Sequence, residues 1–497
     1  MLESIGLVDA LLLAFGLPFC LAICYLARLT PAEEARRGED TWGHLLMADE
    51  IRKTKRLPTM DYFIFKGPSD YPPFMHLFLA LLPKEWLERN WPLISPWLDT
   101  VHAGLLFFVT VLITDSVPFG LLAVVAYTLV AAMLADTLSL NARVFGSLLL
   151  TVSFASLLWF TWYGNIGVLL FSIAMGVAIV YTHKFTAQTL VFLLLGFAVL
   201  EGEVGYLYVL VAIYLLAFAV HPSLFLNIVR GHYKIISFWT THIRHYHTRE
   251  GMYDLFTKRD WKNRELWVRT AKDFSKIFYL NPFMWFVFLV YQFAEPTPVM
   301  TSLLYWCGIV FTAFLLVTYI PALQGFGNGE RYMEYGIFPS VLLSVLLIRQ
   351  IGNEVTYSLL SACLLLSMLA SYLTIRWYLT ADSAMSNLQE KLAPLFEHIT
   401  KSGKDNVMCI PYSLCFITAY FTRKHVLFHI SPQGFEEGLC IFPKLRDTYE
   451  AVIKRYNITF VLTDSEAFWA NEFHWVEGLH EVLNAEGFHL FEVGGNG

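Results

Sequence analysis

The sequence predicts a mainly α-helical membrane protein, a polytopic bundle of about eleven spans with a small soluble α/β domain at its C-terminal end. Three observations lead there. Hydrophobic residues are 56% of the 497 and charged residues only 15%, against roughly 25% charged in a soluble domain, so the chain lacks the charge to coat a water-facing surface. Aromatic residues reach 16%, with 14 Trp and 25 Tyr, which suits the belts that anchor helices at a bilayer surface. Eleven apolar runs approach the ~20 residues that cross a hydrocarbon core, while beyond about residue 384 the composition becomes that of an ordinary soluble chain. A net charge of −6 argues against nucleic acid as a partner.

The first run, 7–27, lacks the basic flank and small-residue cleavage site of a signal peptide and reads as a retained span. Residues 28–96 form a long loop of balanced charge. Six runs follow, at 97–114, 117–135, 145–161, 165–182, 187–200 and 204–220. A second loop, 221–279, carries eleven Lys/Arg against five Asp/Glu, with Arg244–Arg249 and Lys258–Lys262 suited to anionic headgroups of membrane lipids or to a diphosphate-bearing acceptor. Four more runs, at 280–294, 299–320, 336–349 and 355–378, complete a transmembrane domain of 1–383. In 384–497, period-2 segments at 407–411, 425–430, 459–463 and 488–493 predict strands, and 3.6-residue periodicity near 413–421, 444–456 and 474–485 predicts helices. Cys409, Cys415 and Cys440 fall in this tail, where two of them can pair in an oxidising compartment. Parity sets both long loops and the tail on one face, and chemistry is expected there.

The first loop is the richest stretch. Glu39 and Asp40 are adjacent carboxylates just before an amphipathic segment in which Leu45, Leu46, Ala48 and Ile51 recur at helical spacing, with Arg52, Lys53, Lys55 and Arg56 at its end. Asp40 suits an N-cap, a general base for an acceptor hydroxyl or a ligand for a divalent cation such as Mg or Mn. His44 lies four residues on, on the same helix face, and completes a candidate metal pair with Asp40. The loop continues through Leu57-Pro58 and Asp61 to Tyr71-Pro72-Pro73 and His76.

This succession resembles the first external loop of GT-C class membrane glycosyltransferases, the superfamily of the protein mannosyltransferases and the oligosaccharyltransferase catalytic subunits. The resemblance implies a polyprenyl-phosphate-linked sugar donor, inverting transfer with Asp40 as the catalytic carboxylate and Glu39 beside it, and Tyr71 and His76 against the substrate. A second stretch, Gly327-Asn328-Gly329-Glu330-Arg331-Tyr332, falls on the same face. Arg331 at a bilayer surface suits a lipid phosphate, since a guanidinium bonds two phosphate oxygens at once. The Arg331-Tyr332 pair, with Glu330 before it, resembles the segment that GT-C enzymes place near the leaving phosphate. Arg143 is a further candidate by the same resemblance. Lys184 is not favoured as a phosphate contact.

The tail lacks the Trp-Trp-Asp run of oligosaccharyltransferases. Transfer of one sugar to a lipid, glycan or protein hydroxyl is therefore expected, rather than block transfer to Asn. The resemblance sets the loops and tail outside, periplasmic or extracellular. The Lys/Arg distribution opposes this, but that rule weakens for loops of ~60 residues. Two other classes are weighed: a non-catalytic subunit holding a membrane-protein partner on the same scaffold, and a transporter, which would carry ionisable residues at mid-membrane on several spans.

Overall fold

The computed structural model describes residues 6–36, 39–67, 69–242, 275–380, 387–429, 432–442, 446–464 and 479–494. The expected headgroup contacts in 244–262 and the domain boundary at 383/384 lie outside the described residues. Each of the eleven apolar runs coincides with helix. Five helices are long and apolar enough to cross a bilayer: Leu7–Glu34, Lys84–Thr114, Ala142–Tyr163, Pro298–Tyr319 and Glu354–Thr380. A sixth crossing arises if Val117–Leu129 and Ala131–Thr137, bent by 52°, count as one. Other apolar helices, among them Ile166–Val180, Lys184–Leu200 and Ile337–Ile351, have 10–17 residues, short of the ~20 that a perpendicular crossing needs. Helix length alone thus accounts for five or six of the eleven expected spans. Large apolar side chains such as Val199, Leu215, Phe293 and Leu365 are more than half exposed on the outside of the bundle, the surface of an integral membrane protein bathed in lipid.

Inside the bundle a polar network ties four helices together. Arg28 Nε donates to Asp99 Oδ2 at 2.9 Å, with both side chains almost wholly buried. The Tyr127 hydroxyl donates to Asp99 Oδ1 at 2.6 Å and lies 3.0 Å from His102 Nδ1. His102 Nε2 meets Thr151 Oγ1 at 2.8 Å. Because Tyr127 has one proton and gives it to Asp99, His102 Nδ1–H is the donor to Tyr127, and Nε2 accepts from Thr151. None of these residues was singled out from the sequence: Arg28 lies at the edge of the first run, and the others are scattered through apolar runs.

Beyond the bundle lies a five-stranded sheet, in order β2-β1-β3-β5-β4. Its strands are β1 (Asn406–Ile410), β2 (His425–Val426), β3 (Phe460–Asp464), β4 (Leu479–Ala485) and β5 (Phe488–Val493). The β1 strand is parallel to β2 and β3, and β5 is antiparallel to β3 and β4. The four expected strands are present, as are helices Cys415–Thr422 and Tyr449–Arg455. The helix expected near 474–485 is corrected: residues 479–485 form β4. A tight reversal at Glu486 (φ 50°) and Gly487 (φ 82°) folds it onto β5, and positive φ at both central residues is the mark of a type I′ hairpin. Helix Leu388–Lys401 packs Leu392, Leu395 and Ile399 into the core of this unit. Cys409 and Cys415 are buried free thiols rather than a bridge.

The first loop joins the sheet to the bundle. Ile64 N donates to Val426 O at 2.8 Å and Val426 N to Tyr62 O at 3.0 Å, so the loop lies as an added edge beside β2. Trp42 packs on Phe421 at 4.7 Å, and Arg423 pairs with Asp49 at 2.8 Å.

Candidate active site

Between the bundle and the sheet runs a cleft of about 300 Å³. Its first wall is the surface helix Glu39–Thr54. That helix is seated by buried Trp42, Leu45, Leu46 and Ala48, and Gly43 admits the Phe416 ring, which a Cβ would meet at 3.1 Å. Asp40 lines the cleft. It is the second residue of the helix rather than the cap before it, an N-terminal position where the helix dipole favours a carboxylate, and it is exposed. Glu39 begins the same helix. One turn on, His44 is buried and its Nδ1 lies 2.8 Å from His76 Nε2. Tyr71 packs edge-on against both imidazoles, at 5.6 and 5.3 Å. Burial lowers the pKa of His44, against a raising influence from Asp40, and lowers that of His76 well below the ordinary value.

The second wall carries the cations. Asn141 caps helix Ala142–Tyr163 by accepting from Arg143 N at 2.9 Å, which fixes Arg143 in the first turn. Arg143 Nη2 meets Asp136 Oδ1 at 2.7 Å, and Arg331 Nη1 meets the same oxygen at 2.6 Å. One buried carboxylate thus holds two guanidinium groups side by side. Glu334 accepts from Arg331 at 3.3 Å, and burial, then the neighbouring Asp136, pushes its carboxyl well above the usual range. Two cations sharing Asp136 leave positive charge facing the cleft. Lys184 adds a third cation with no ion pair among the described residues. The turn before Arg331 is pinned at Gly327 (φ 118°), where a Cβ would strike the Phe185 ring.

The remaining wall comes from segments far apart in sequence. Phe74 N donates to Tyr181 O at 2.8 Å, tying the Tyr71-Pro72-Pro73 segment to the turn that bears His183 and Lys184. Asp70 packs against Gly231 of helix Pro222–His242, where a Cβ would lie 2.9 Å from the Asp70 Cβ. That glycine brings its neighbour His232 to the same cleft. Burial raises the Asp70 carboxyl to about 7 and lowers His232 to about 4. Burial, with Arg143 and Lys184 nearby, holds His183 well below its ordinary value.

Asp40, His44, Tyr71, Arg143 and Arg331, all singled out in the sequence, meet around this cleft. Three other candidates stand back from it. His76 is buried behind His44. Tyr332 is buried, and its hydroxyl donates to Gln188 at 2.8 Å. Glu330 pairs with Lys276 at 2.9 Å. Lys184, disfavoured from the sequence, lines the cleft, as do Asp70, His183 and His232. Asp136 lies one residue beyond the apolar run 117–135 and carried no expectation. The missed residues arrive from separate loops, so no local spacing marked them.

The expected Asp40–His44 pair is not joined by a third metal-ligating side chain among the described residues. His44 gives one ring nitrogen to His76, and three cationic side chains line the same cleft.

No protein-family model matches this chain, and no curated protein matches it in sequence. Solved structures do match. The apo oligosaccharyltransferase of Archaeoglobus fulgidus aligns at TM-score 0.56 and 10% identity over 90% of this chain and 69% of that one. AglB of the same organism, in complex with an inhibitory peptide and a dolichol-phosphate, aligns at 0.53 and 11% identity over 92% and 70%. ArnT from Cupriavidus metallidurans, in the apo state, aligns at 0.51 and 11% identity over 98% of both chains. At these identities the likeness is one of fold. The chain has the GT-C glycosyltransferase fold, a membrane helix bundle with a small C-terminal sheet.

Proposed function

We propose that this protein is a glycosyltransferase that moves one sugar from a polyprenyl-phosphate donor to a hydroxyl acceptor at the external membrane face. The observation that carries the reading is a single cleft lined by Asp40, Arg143, Lys184 and Arg331. Its volume of about 300 Å³ lies at the lower end of the roughly 300–1,000 Å³ of small-molecule sites, which suits one sugar with its phosphate. Fold neighbours support the donor class: one AglB structure holds a dolichol-phosphate, and a Cupriavidus metallidurans ArnT structure holds undecaprenyl phosphate.

The Asp40 carboxylate takes the proton of the acceptor hydroxyl while that oxygen attacks the anomeric carbon. The bond from that carbon to the phosphate oxygen breaks, and its electron pair leaves on the phosphate. Attack opposite the leaving group inverts the anomeric configuration. Negative charge grows on the phosphate in the transition state, where Arg143 and Arg331, already aligned by Asp136, stabilise it without reorganising. Tyr71, seated on His44, walls the cleft beside Asp40.

Asp40→Asn is expected to lower transfer about 10²–10⁴-fold while the exposed position leaves thermal unfolding unchanged. Single-turnover assays with a panel of polyprenyl-phosphate sugars check this, and turnover retained by Asp40→Asn would contradict the role. Orientation is tested separately with a membrane-impermeant label on the C-terminal sheet. Labelling of intact cells supports the external face, and labelling only after lysis contradicts it.

A further inference from the structure

The cleft is lined by two polar sets that differ in chemistry. The guanidinium groups of Arg143 and Arg331 are the receptor for phosphate. Asp70, His183 and His232 line the same cleft and carry no permanent positive charge. Three atoms there, Asp70 Oδ1, His183 Nδ1 and His232 Nε2, are buried and have no hydrogen-bond partner among the described residues. His183 is only 5% exposed. Arg143 Nε is likewise unpartnered. Buried polar atoms are nearly always satisfied in a folded protein, because leaving one unmet costs about 1–3 kcal/mol. Three around one cavity make it a polar cavity, able to exchange hydrogen bonds with water or with a ligand that displaces it.

The donor set says what kind of ligand. A carboxyl beside neutral imidazoles exchanges hydrogen bonds with hydroxyl groups, which both donate and accept. A second anionic group would meet the Asp70 carboxyl there. Apolar rings complete the subsite: Trp239 and Phe435 line the same cleft and pack edge to face at 5.6 Å, offering flat surfaces to the C–H face of a ring. Lys184 lies within electrostatic reach of Arg143, Asp40 and Asp70.

We propose that Asp70, His183 and His232 form the subsite for the sugar ring of the donor, and that this ring is an uncharged hexose recognised through its hydroxyl groups. The inference rests on the phosphate reading of Arg143 and Arg331, and its test separates the two. The probes are farnesyl phosphate, farnesyl-phosphate mannose, farnesyl-phosphate glucose and farnesyl-phosphate glucuronate, bound to the full-length protein in detergent. Wild type is expected to bind a neutral hexosyl probe about tenfold more tightly than farnesyl phosphate, and to gain nothing from glucuronate. Asp70→Asn and His232→Gln are each expected to erase most of that gain and to leave farnesyl phosphate binding within about twofold.

Equal binding of the bare and hexosyl probes by wild type overturns the subsite without recourse to any variant. So does a loss in Asp70→Asn that is as large for farnesyl phosphate as for the hexosyl probe. Arg331→Ala reports on the other reading: unchanged farnesyl phosphate affinity there defeats the phosphate assignment, whatever the hexosyl gain. A transfer assay adds a readout that a merely structural role would not move. Asp70→Asn raises the donor KM with kcat little changed and shifts preference among hexoses.

Discussion

Two sets of buried polar side chains in this protein are built from the same residue types and behave differently. In the bundle, both oxygens of Asp99, the Tyr127 hydroxyl and both nitrogens of His102 have partners, with Arg28 and Thr151 at the ends of the chain. In the cleft, Asp70, His183, His232 and Arg143 each leave a buried atom unmet. The first set is closed and holds helices Leu17–Ala35, Ile94–Thr114, Val117–Leu129 and Ala142–Tyr163 in register. The second is open and its unmet groups surround a cavity. The difference teaches that burial of a charge does not by itself mark function; buried Ser147, Trp306 and Ser367 also leave a polar atom unmet away from the cleft, so it is the gathering of unmet groups around one cavity that sets the site apart.

Substitutions should divide along that line. The largest effect is expected in the closed set: Arg28→Met leaves Asp99 buried and unpaired, at about 3–5 kcal/mol of stability. Thermal unfolding in detergent reads this, and an unfolding temperature equal to wild type would break the distinction. Next comes Arg331→Ala, expected to weaken use of the lipid donor by about 1.5–3 kcal/mol, or roughly 10- to 100-fold in KM, with a smaller change in unfolding than Arg28→Met. An unchanged donor KM would remove Arg331 from the site.

The smallest and most diagnostic effect has the opposite sign. The Asp70 carboxyl is raised from 3.8 to about 7, so between those values the folded protein holds a proton that the unfolded chain has released. Stability from this group is therefore highest below pH 3.8 and is lost as pH rises to about 7. A rise of that size carries about 4 kcal/mol; because the Asn amide keeps part of the cost of burial, Asp70→Asn is expected to stabilise the protein at pH 8 by on the order of half of this, with little gain at pH 4, while impairing the donor sugar subsite. Such an exchange of stability for activity is what an open site shows. Destabilisation at pH 8 would place Asp70 in the scaffold.

The helical runs were legible because apolar length is a strong signal, and so were four strands of the sheet. The β4 strand was not: Trp475, Leu479, Val482 and Leu483 fall at helical spacing, and pairing with β5 overrode it. The Glu486-Gly487 turn was the cue available in the sequence. Within the site, the first-loop residues Asp40, His44 and Tyr71 were legible because they lie within about thirty residues of each other. Arg331 stood out as a cation beside glycines at a span entry. Asp70 stands beside Tyr71 in the same loop, but its link to His183, His232 and the bridging Asp136 arises only when four separate segments are brought together. Tyr332 misled because its neighbour Arg331 faces the cleft while the tyrosine, on another side of a short helical turn, points into the core.

The most direct test of the open cleft as the lipid-phosphate site is equilibrium binding of farnesyl phosphate to the purified protein and two arginine variants. Arg331→Ala changes the cleft. Arg349→Ala changes an exposed arginine at the far end of helix Ile337–Ile351, where it meets only Ile113 O at 3.3 Å among the described residues. The expected result is about tenfold weaker binding for Arg331→Ala and wild-type affinity for Arg349→Ala. Equal affinity across all three proteins would contradict the account.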